Sequence, residues 1–112
     1  MAIVTTARRV DFDVIHEGRH IRRFMEFVLT REDHRLAKPH PEPYLTALKR
    51  FGATPQETLV VEDSSRGLSS AVAAGIDCAV VHNAFTQSQD FSRASCRIDT
   101  LSELRDIILS TV

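Results

Sequence analysis

Tryptophan is absent from the 112-residue sequence, aromatic residues make up only 6% of it, and there are just two cysteines. Cys78 and Cys96 match no zinc or redox spacing, so no metal–thiolate or dithiol chemistry is expected, and the pair suggests a reducing, cytoplasmic compartment. Charge of one sign is missing too. The 14 basic residues stand against 15 acidic ones, which argues against a nucleic-acid binder or an anionic-lipid binder. No apolar run approaches the roughly 20 residues that span a bilayer, so no membrane segment is expected. Thr5 and Thr6 end the first apolar stretch almost as it begins, so no secretory leader is expected either. What is present, 43% hydrophobic residues over 112 positions, fits one domain, residues 1–112, with a single core. That length leaves little room for an enzyme that needs both a core and a lid.

The chain alternates strand and helix signals. Ala2-Ile3-Val4-Thr5, Phe27-Val28-Leu29-Thr30, Leu59-Val60-Val61 and Ala79-Val80-Val81 are short, continuous apolar runs, as expected of strands covered on both faces. Ile98 suggests a brief edge strand. Between them, Val10, Phe12, Val14 and Ile15 fit one helix. Tyr44, Leu45, Leu48 and Phe51 form an apolar stripe that Gly52 terminates. Thr54-Pro55-Gln56-Glu57 reads as one capped turn. Leu68, Ala71 and Val72 make a further stripe stopped by Gly75, and Leu101, Leu104, Ile107 and Ile108 a last one. Strands and helices alternating in this way predict an α/β fold: a Rossmann-like parallel sheet with flanking helices and right-handed crossovers.

Ligands of open parallel sheets sit at the carboxyl ends of the strands. Three such ends carry polar residues here: Thr5-Thr6 followed by Arg8, Glu62-Asp63-Ser64-Ser65 with Gly67 behind, and Lys38 in the loop after the second strand. Adjacent carboxylates are hard oxygen ligands suited to Mg²⁺, hydroxyl and backbone N–H groups suit a phosphoryl oxygen, and a lysine balances the charge of a dianion. Each feature alone has a plainer account: a helix cap, a buried threonine, a solvated loop charge. Their joint placement points to a site for phosphate and magnesium.

Lys38-Pro39-His40-Pro41-Glu42-Pro43-Tyr44, then Leu59-Val60-Val61-Glu62-Asp63-Ser64 with Gly67, then Ala73-Ala74-Gly75-Ile76 resemble the haloacid dehalogenase (HAD) superfamily. The resemblance is to its branch of phosphatases and mutases related to phosphoglycolate phosphatase and β-phosphoglucomutase, and it covers essentially the whole chain. It implies a Mg²⁺-dependent phosphoryl transfer on a small phosphorylated substrate. Thr5 then matches the hydroxyl that binds the transferring phosphoryl group, with Thr6 and Arg8 in the loop touching phosphate and substrate. Lys38 steadies nucleophile and phosphate, and Glu62 and Asp63 bind the metal, Glu62 directly or through water.

The same resemblance implies an aspartate nucleophile and an acid/base aspartate in an Asp-x-Asp-Gly-Thr motif after an apolar strand, ahead of everything matched here. The chain is therefore expected to lack the first strand and the cap, to be N-terminally incomplete, and to be inactive alone. Asp11-Phe12-Asp13 has the Asp-x-Asp spacing, but Arg8-Arg9 precede it and Val14-Ile15 follow it. His16-Glu17-Gly18-Arg19-His20 matches H-E-x-x-H, the motif of a zinc metallopeptidase, yet Gly18 disfavours the required helix by about 1 kcal/mol. In the family the nucleophile strand lies between the strands ending at Thr5 and Glu62. Direct pairing of those two, a strand supplied by another chain, or a poorly folded fragment are the three outcomes, and strand exchange or edge pairing between copies in a homo-oligomer, or a complementing N-terminal segment, is the expectation. A non-catalytic phosphate-binding or interaction domain, whether pseudoenzyme or split-enzyme piece, remains the other functional reading.

Overall fold

The computed structural model describes residues 1–110. Its elements alternate as expected: β1 (Ala2–Val4), α1 (Arg9–Ile15), β2 (Phe27–Leu29), α2 (Glu42–Phe51), β3 (Leu59–Glu62), α3 (Ser65–Ala73), β4 (Asp77–Val81), β5 (Cys96–Ile98) and α4 (Leu101–Ser110). Short 3₁₀ turns at Ile21–Phe24, Arg31–Asp33 and Pro55–Glu57 fill the connections. The strands are parallel but form two sheets, β1 with β2, and β3–β4–β5. Among the described residues, β1 and β3 do not pair, so direct pairing of the strands ending at Thr5 and Glu62 does not occur.

One core nevertheless joins the two sheets. Val60 and Val80, Tyr44 and Leu48 of α2, and Leu68 and Ala71 of α3 are buried together, and Val4 of β1 packs against them. Local chemistry places the helices. Thr54 and Glu57 form a reciprocal capping box around the 3₁₀ turn, and Gly52 ends α2 at φ 68°, a left-handed conformation that costs other residues steric strain. The buried stripe of α2 runs through Pro43, Tyr44, Ala47 and Leu48. Leu45 instead faces outward, and Phe51 sits at the margin with its ring 4.6 Å from that of Phe27. On α1 only Phe12 is buried, and Val10, Val14 and Ile15 are exposed.

The outer edge of β2 is closed by side chains. Leu29 turns its carbonyl toward β1, where it accepts the Thr5 N–H at 3.0 Å, so the Val28 carbonyl and Thr30 N–H face away, because successive residues alternate sides. Arg9 donates to the Val28 carbonyl at 3.0 Å, and Asp33 accepts the Thr30 N–H at 2.7 Å. Thr30 and Asp33 complete a capping box there.

Candidate functional site

Lys38 spans the gap between the sheets. Its ammonium donates to the Val4 carbonyl at the end of β1 (3.0 Å) and to Glu62 Oε1 at the end of β3 (2.6 Å). The two side chains are only 12% and 7% exposed, so this ion pair is largely shielded from water. The Tyr44 hydroxyl donates to the same Glu62 oxygen, and the Lys38 ammonium lies 5.0 Å from the centre of the Tyr44 ring. Burial, then the charge of Glu62 and the hydrogen bond to it, raise the Tyr44 pKa above its ordinary value, so the phenol stays protonated and donates. Beneath the carboxylate lies Gly67. A Cβ built there would fall inside the Glu62 carboxyl group, so this close approach requires glycine.

The loop carrying Lys38 is fixed from both sides. Glu42 accepts backbone N–H groups from Arg35 and from Leu36 (3.0 Å), which holds its carboxyl below its ordinary pKa, with the Leu36 bond the largest contribution. His40 Nδ1 accepts the Glu42 N–H at 3.0 Å. From α3, Arg66 donates to the Lys38 carbonyl at 2.7 Å and the buried Ser70 hydroxyl donates to the His40 carbonyl at 2.7 Å. The Lys38–Pro39 peptide bond is cis.

The remaining expected residues fall into two groups. Lys38 and Glu62 are in contact, and Thr5 and Asp63 adjoin them in the chain, each directly after the last residue of β1 or β3. Thr5 is half-buried and its Oγ1 accepts the Ala7 N–H at 3.1 Å, shaping the loop after β1. Thr6 is exposed. Arg8 turns to Asp11, with Nε 2.9 Å from the carboxylate at the start of α1, so it is not gathered with Lys38. Asp63 is exposed and Ser64 caps α3 by accepting the Gly67 N–H at 3.2 Å. Ser65 N–H donates to Gln89 at 2.8 Å. Two grooves along α1 and β2 contain none of Thr5, Lys38, Glu62 or Asp63.

Neither alternative motif acquires the geometry it needs. Asp11 and Asp13 lie on α1 rather than at a strand end, the first paired with Arg8 and the second with Arg22. The helix stops at Ile15, Gly18 has φ 75° and His20 φ 59°, so His16 and His20 do not share a helical face. Among the described residues, no three side chains of the metal-binding types cluster. Mg²⁺ is commonly bound through only one or two carboxylates, with water and substrate phosphate completing its shell. Asp63 fits that role. The Glu62 carboxylate is already committed to Lys38 and Tyr44 through Oε1, and could contribute only its other oxygen.

In the sequence Tyr44 is part of an apolar stripe and the last residue of the Lys38–Tyr44 motif, with no role in the site attached to it, and Arg66 and Ser70 carry no signal. Glu62 was open to a finer reading: alternation along β3 puts it on the same face as Val60, buried with it, while Asp63 falls on the other.

The chain is similar to several known proteins. Protein CbbY of Rhodobacter capsulatus is 34% identical over 105 residues, 91% of this chain and 46% of the relative. Pyrophosphatase PpaX of Oceanobacillus iheyensis is 35% identical over 81 residues, 72% of this chain and 38% of the relative. The chain thus spans less than half the length of these relatives. Crystal structures of CbbY from Rhodobacter sphaeroides, one in complex with phosphate and one of a variant with xylulose-(1,5)bisphosphate, superpose with a TM-score of 0.84 at 26% identity, over 92% of this chain and 47% of that one. The profile of the haloacid dehalogenase-like hydrolases matches residues 1–81, and with these relatives it shows that the chain belongs to that family.

Proposed function

We propose that this chain supplies the phosphate- and metal-binding half of a Mg²⁺-dependent phosphatase or phosphomutase acting on a small phosphate ester. The observation that carries this reading is the Lys38 ammonium, bonded to the ends of β1 and β3 at the residues that directly precede Thr5 and Asp63. An ammonium has three N–H donors, and two of those on Lys38 are taken by Val4 and Glu62. The third is left for a phosphoryl oxygen. The Thr5 hydroxyl, accepting from Ala7, keeps its own proton to donate to the same group. Together they orient the phosphoryl group and neutralise part of its charge before reaction. When bound at Asp63, Mg²⁺ would neutralise the remaining phosphoryl charge. Membership of the family and the relatives' association with phosphate and a sugar bisphosphate support the reading.

The 112 residues contain no Asp-x-Asp-Gly-Thr, and Asp11 and Asp13 lie on α1, so the chain by itself has no turnover. A strand carrying that motif, donated between β1 and β3, would pair with both of their free edges. Calorimetric titration of the chain with inorganic phosphate in the presence of Mg²⁺ tests the site. Binding is expected, weakened at least about tenfold by Lys38→Met or Asp63→Asn, as befits loss of a charge-assisted contact. No phosphate binding would sink the proposal, and Mg²⁺-dependent hydrolysis of p-nitrophenyl phosphate lost on Asp63→Asn would sink its claim of inactivity.

The other reading, a non-catalytic phosphate-binding domain, predicts the same titration, and the two part on a strand peptide. Addition of one ending in Asp-x-Asp-Gly-Thr restores turnover only on the enzyme reading.

A further inference from the structure

We propose that Tyr44 is a positioning residue of this site, acting on Lys38 through Glu62; the inference rests on the phosphoryl-transfer reading above. Four observations converge on one oxygen. Glu62 Oε1 accepts both the Lys38 ammonium and the Tyr44 hydroxyl. The Tyr44 ring lies 5.0 Å from the same ammonium. Gly67 leaves the space the carboxylate occupies. Tyr44 itself is buried, on the first turn of α2, whose N-terminus follows the Lys38 loop.

The physical argument is one of freedom removed. A lysine has four rotatable side-chain bonds and a glutamate three, so an ion pair between them alone leaves many arrangements that keep the contact. A tyrosine has two torsions, and its ring here is packed in the core, so its hydroxyl is a fixed point. Bonding to that point fixes Glu62. Glu62 in turn holds one N–H of Lys38, the Val4 carbonyl holds a second, and the direction of the third follows. The ring face under the ammonium acts in the same sense. Tyr44 touches no reacting atom. Its part is to aim Lys38.

The chain offers a direct test, because Lys38 and Lys49 are its two lysines and Lys49 is exposed. Acylation of the full chain by a succinimidyl ester, followed by mass spectrometry, gives the Lys38 rate relative to Lys49. Tyr44→Phe keeps the ring and its packing and removes only the hydroxyl. The Lys38 to Lys49 ratio is expected to rise about tenfold, the scale of losing a hydrogen bond to a charged group. Leu48→Ala, on the same buried face with no polar contact, separates a structural role: it should destabilise the chain without raising that ratio. An unchanged ratio in Tyr44→Phe, or an equal rise in Leu48→Ala, overturns the proposal. Should Tyr44→Phe fail to fold, the hydroxyl proton of the single tyrosine decides by nuclear magnetic resonance: slow exchange with water supports the proposal, fast exchange overturns it. Inorganic phosphate with Mg²⁺ should slow Lys38 acylation further in the unsubstituted chain. Its failure to do so would count against the functional reading alone, leaving the comparison of variants to decide the role of Tyr44.

Discussion

Replacing Gly67 by alanine should destabilise the protein, although helix propensity argues for the opposite. In an exposed helix the change stabilises by about 1 kcal/mol, since glycine gives up more backbone freedom on folding than alanine. Here the new methyl would lie inside the Glu62 carboxyl group. If the carboxylate shifts only enough to relieve the overlap, overpacking costs about 1–3 kcal/mol. If it leaves, the part-buried Lys38 ammonium and the buried Tyr44 hydroxyl lose their shared acceptor, and breaking a fully buried pair costs about 3–5 kcal/mol, an upper bound here. Set against the propensity gain, the net loss is about 0–2 kcal/mol in the first case and about 2–4 kcal/mol in the second, which for a domain of this size lowers Tm by roughly 4–8 °C per kcal/mol. Thermal unfolding followed by far-ultraviolet circular dichroism at neutral pH measures it. The sharper assay is a double-mutant cycle with Glu62→Ala, in which Gly67→Ala should become neutral or stabilising, giving a coupling above about 1 kcal/mol. A Gly67→Ala protein stabilised by the full propensity gain of about 1 kcal/mol, or a penalty that survives in the Glu62→Ala background, would refute the cradle.

Three further outcomes are expected. Tyr44 is the single tyrosine in a chain without tryptophan, so its ionisation is readable by ultraviolet absorbance. Its pKa is raised above 10.0, chiefly by burial, so its contribution to stability is complete below pH 10 and is lost as pH rises beyond that. Ionisation should therefore coincide with alkaline unfolding, and a normal titration in the folded chain would contradict it. Burial, with the charge of Glu62 second, pushes the Cys78 thiol up to about 12, so native protein at pH 8 should leave Cys78 unreacted with a thiol reagent until urea unfolds it. The Thr30 N–H, the largest influence, and the charge of Arg9 hold Asp33 below its ordinary value of 3.8. That contribution is present above the ordinary value and lost as pH falls through the lowered one, so Asp33→Asn should flatten the acid limb of a stability–pH profile. An unchanged limb would show that the carboxylate contributes nothing.

The strands could be read from the sequence because short β-branched runs between turn residues have few other uses; Val60, Val80 and Ile98 all lie where that reading puts them. The capped turn at Thr54–Glu57 and the stops at Gly52 and Gly75 were equally plain, being local chemistry. The α2 face was legible only in part. Tyr44 and Leu48 are inward, but Leu45 is not, because the buried arc is set by where α3 and β1 lie. The division into two sheets was not contained in any residue pattern of the strands themselves. Near the strand ends, the sequence singles out both Lys38 and Glu62, which the structure brings into contact, whereas Arg8 is taken up by its neighbour Asp11. The roles of Tyr44, Arg66 and Ser70 depend on contacts across 18 to 30 residues of chain, which no local spacing encodes.

Closing the outer edge of β2 gives the molecule a direction of association. A strand from another copy would have to read the Val28 carbonyl and the Thr30 N–H, and both are occupied, by Arg9 and by Asp33. An approaching copy meets a guanidinium and a carboxylate rather than an open ladder. In concentrated solution, ribbons therefore do not grow through β2, and copies that stack do so elsewhere. Acid that protonates Asp33, or loss of Arg9, would unlock that side, so two charged side chains decide whether this one edge stays closed.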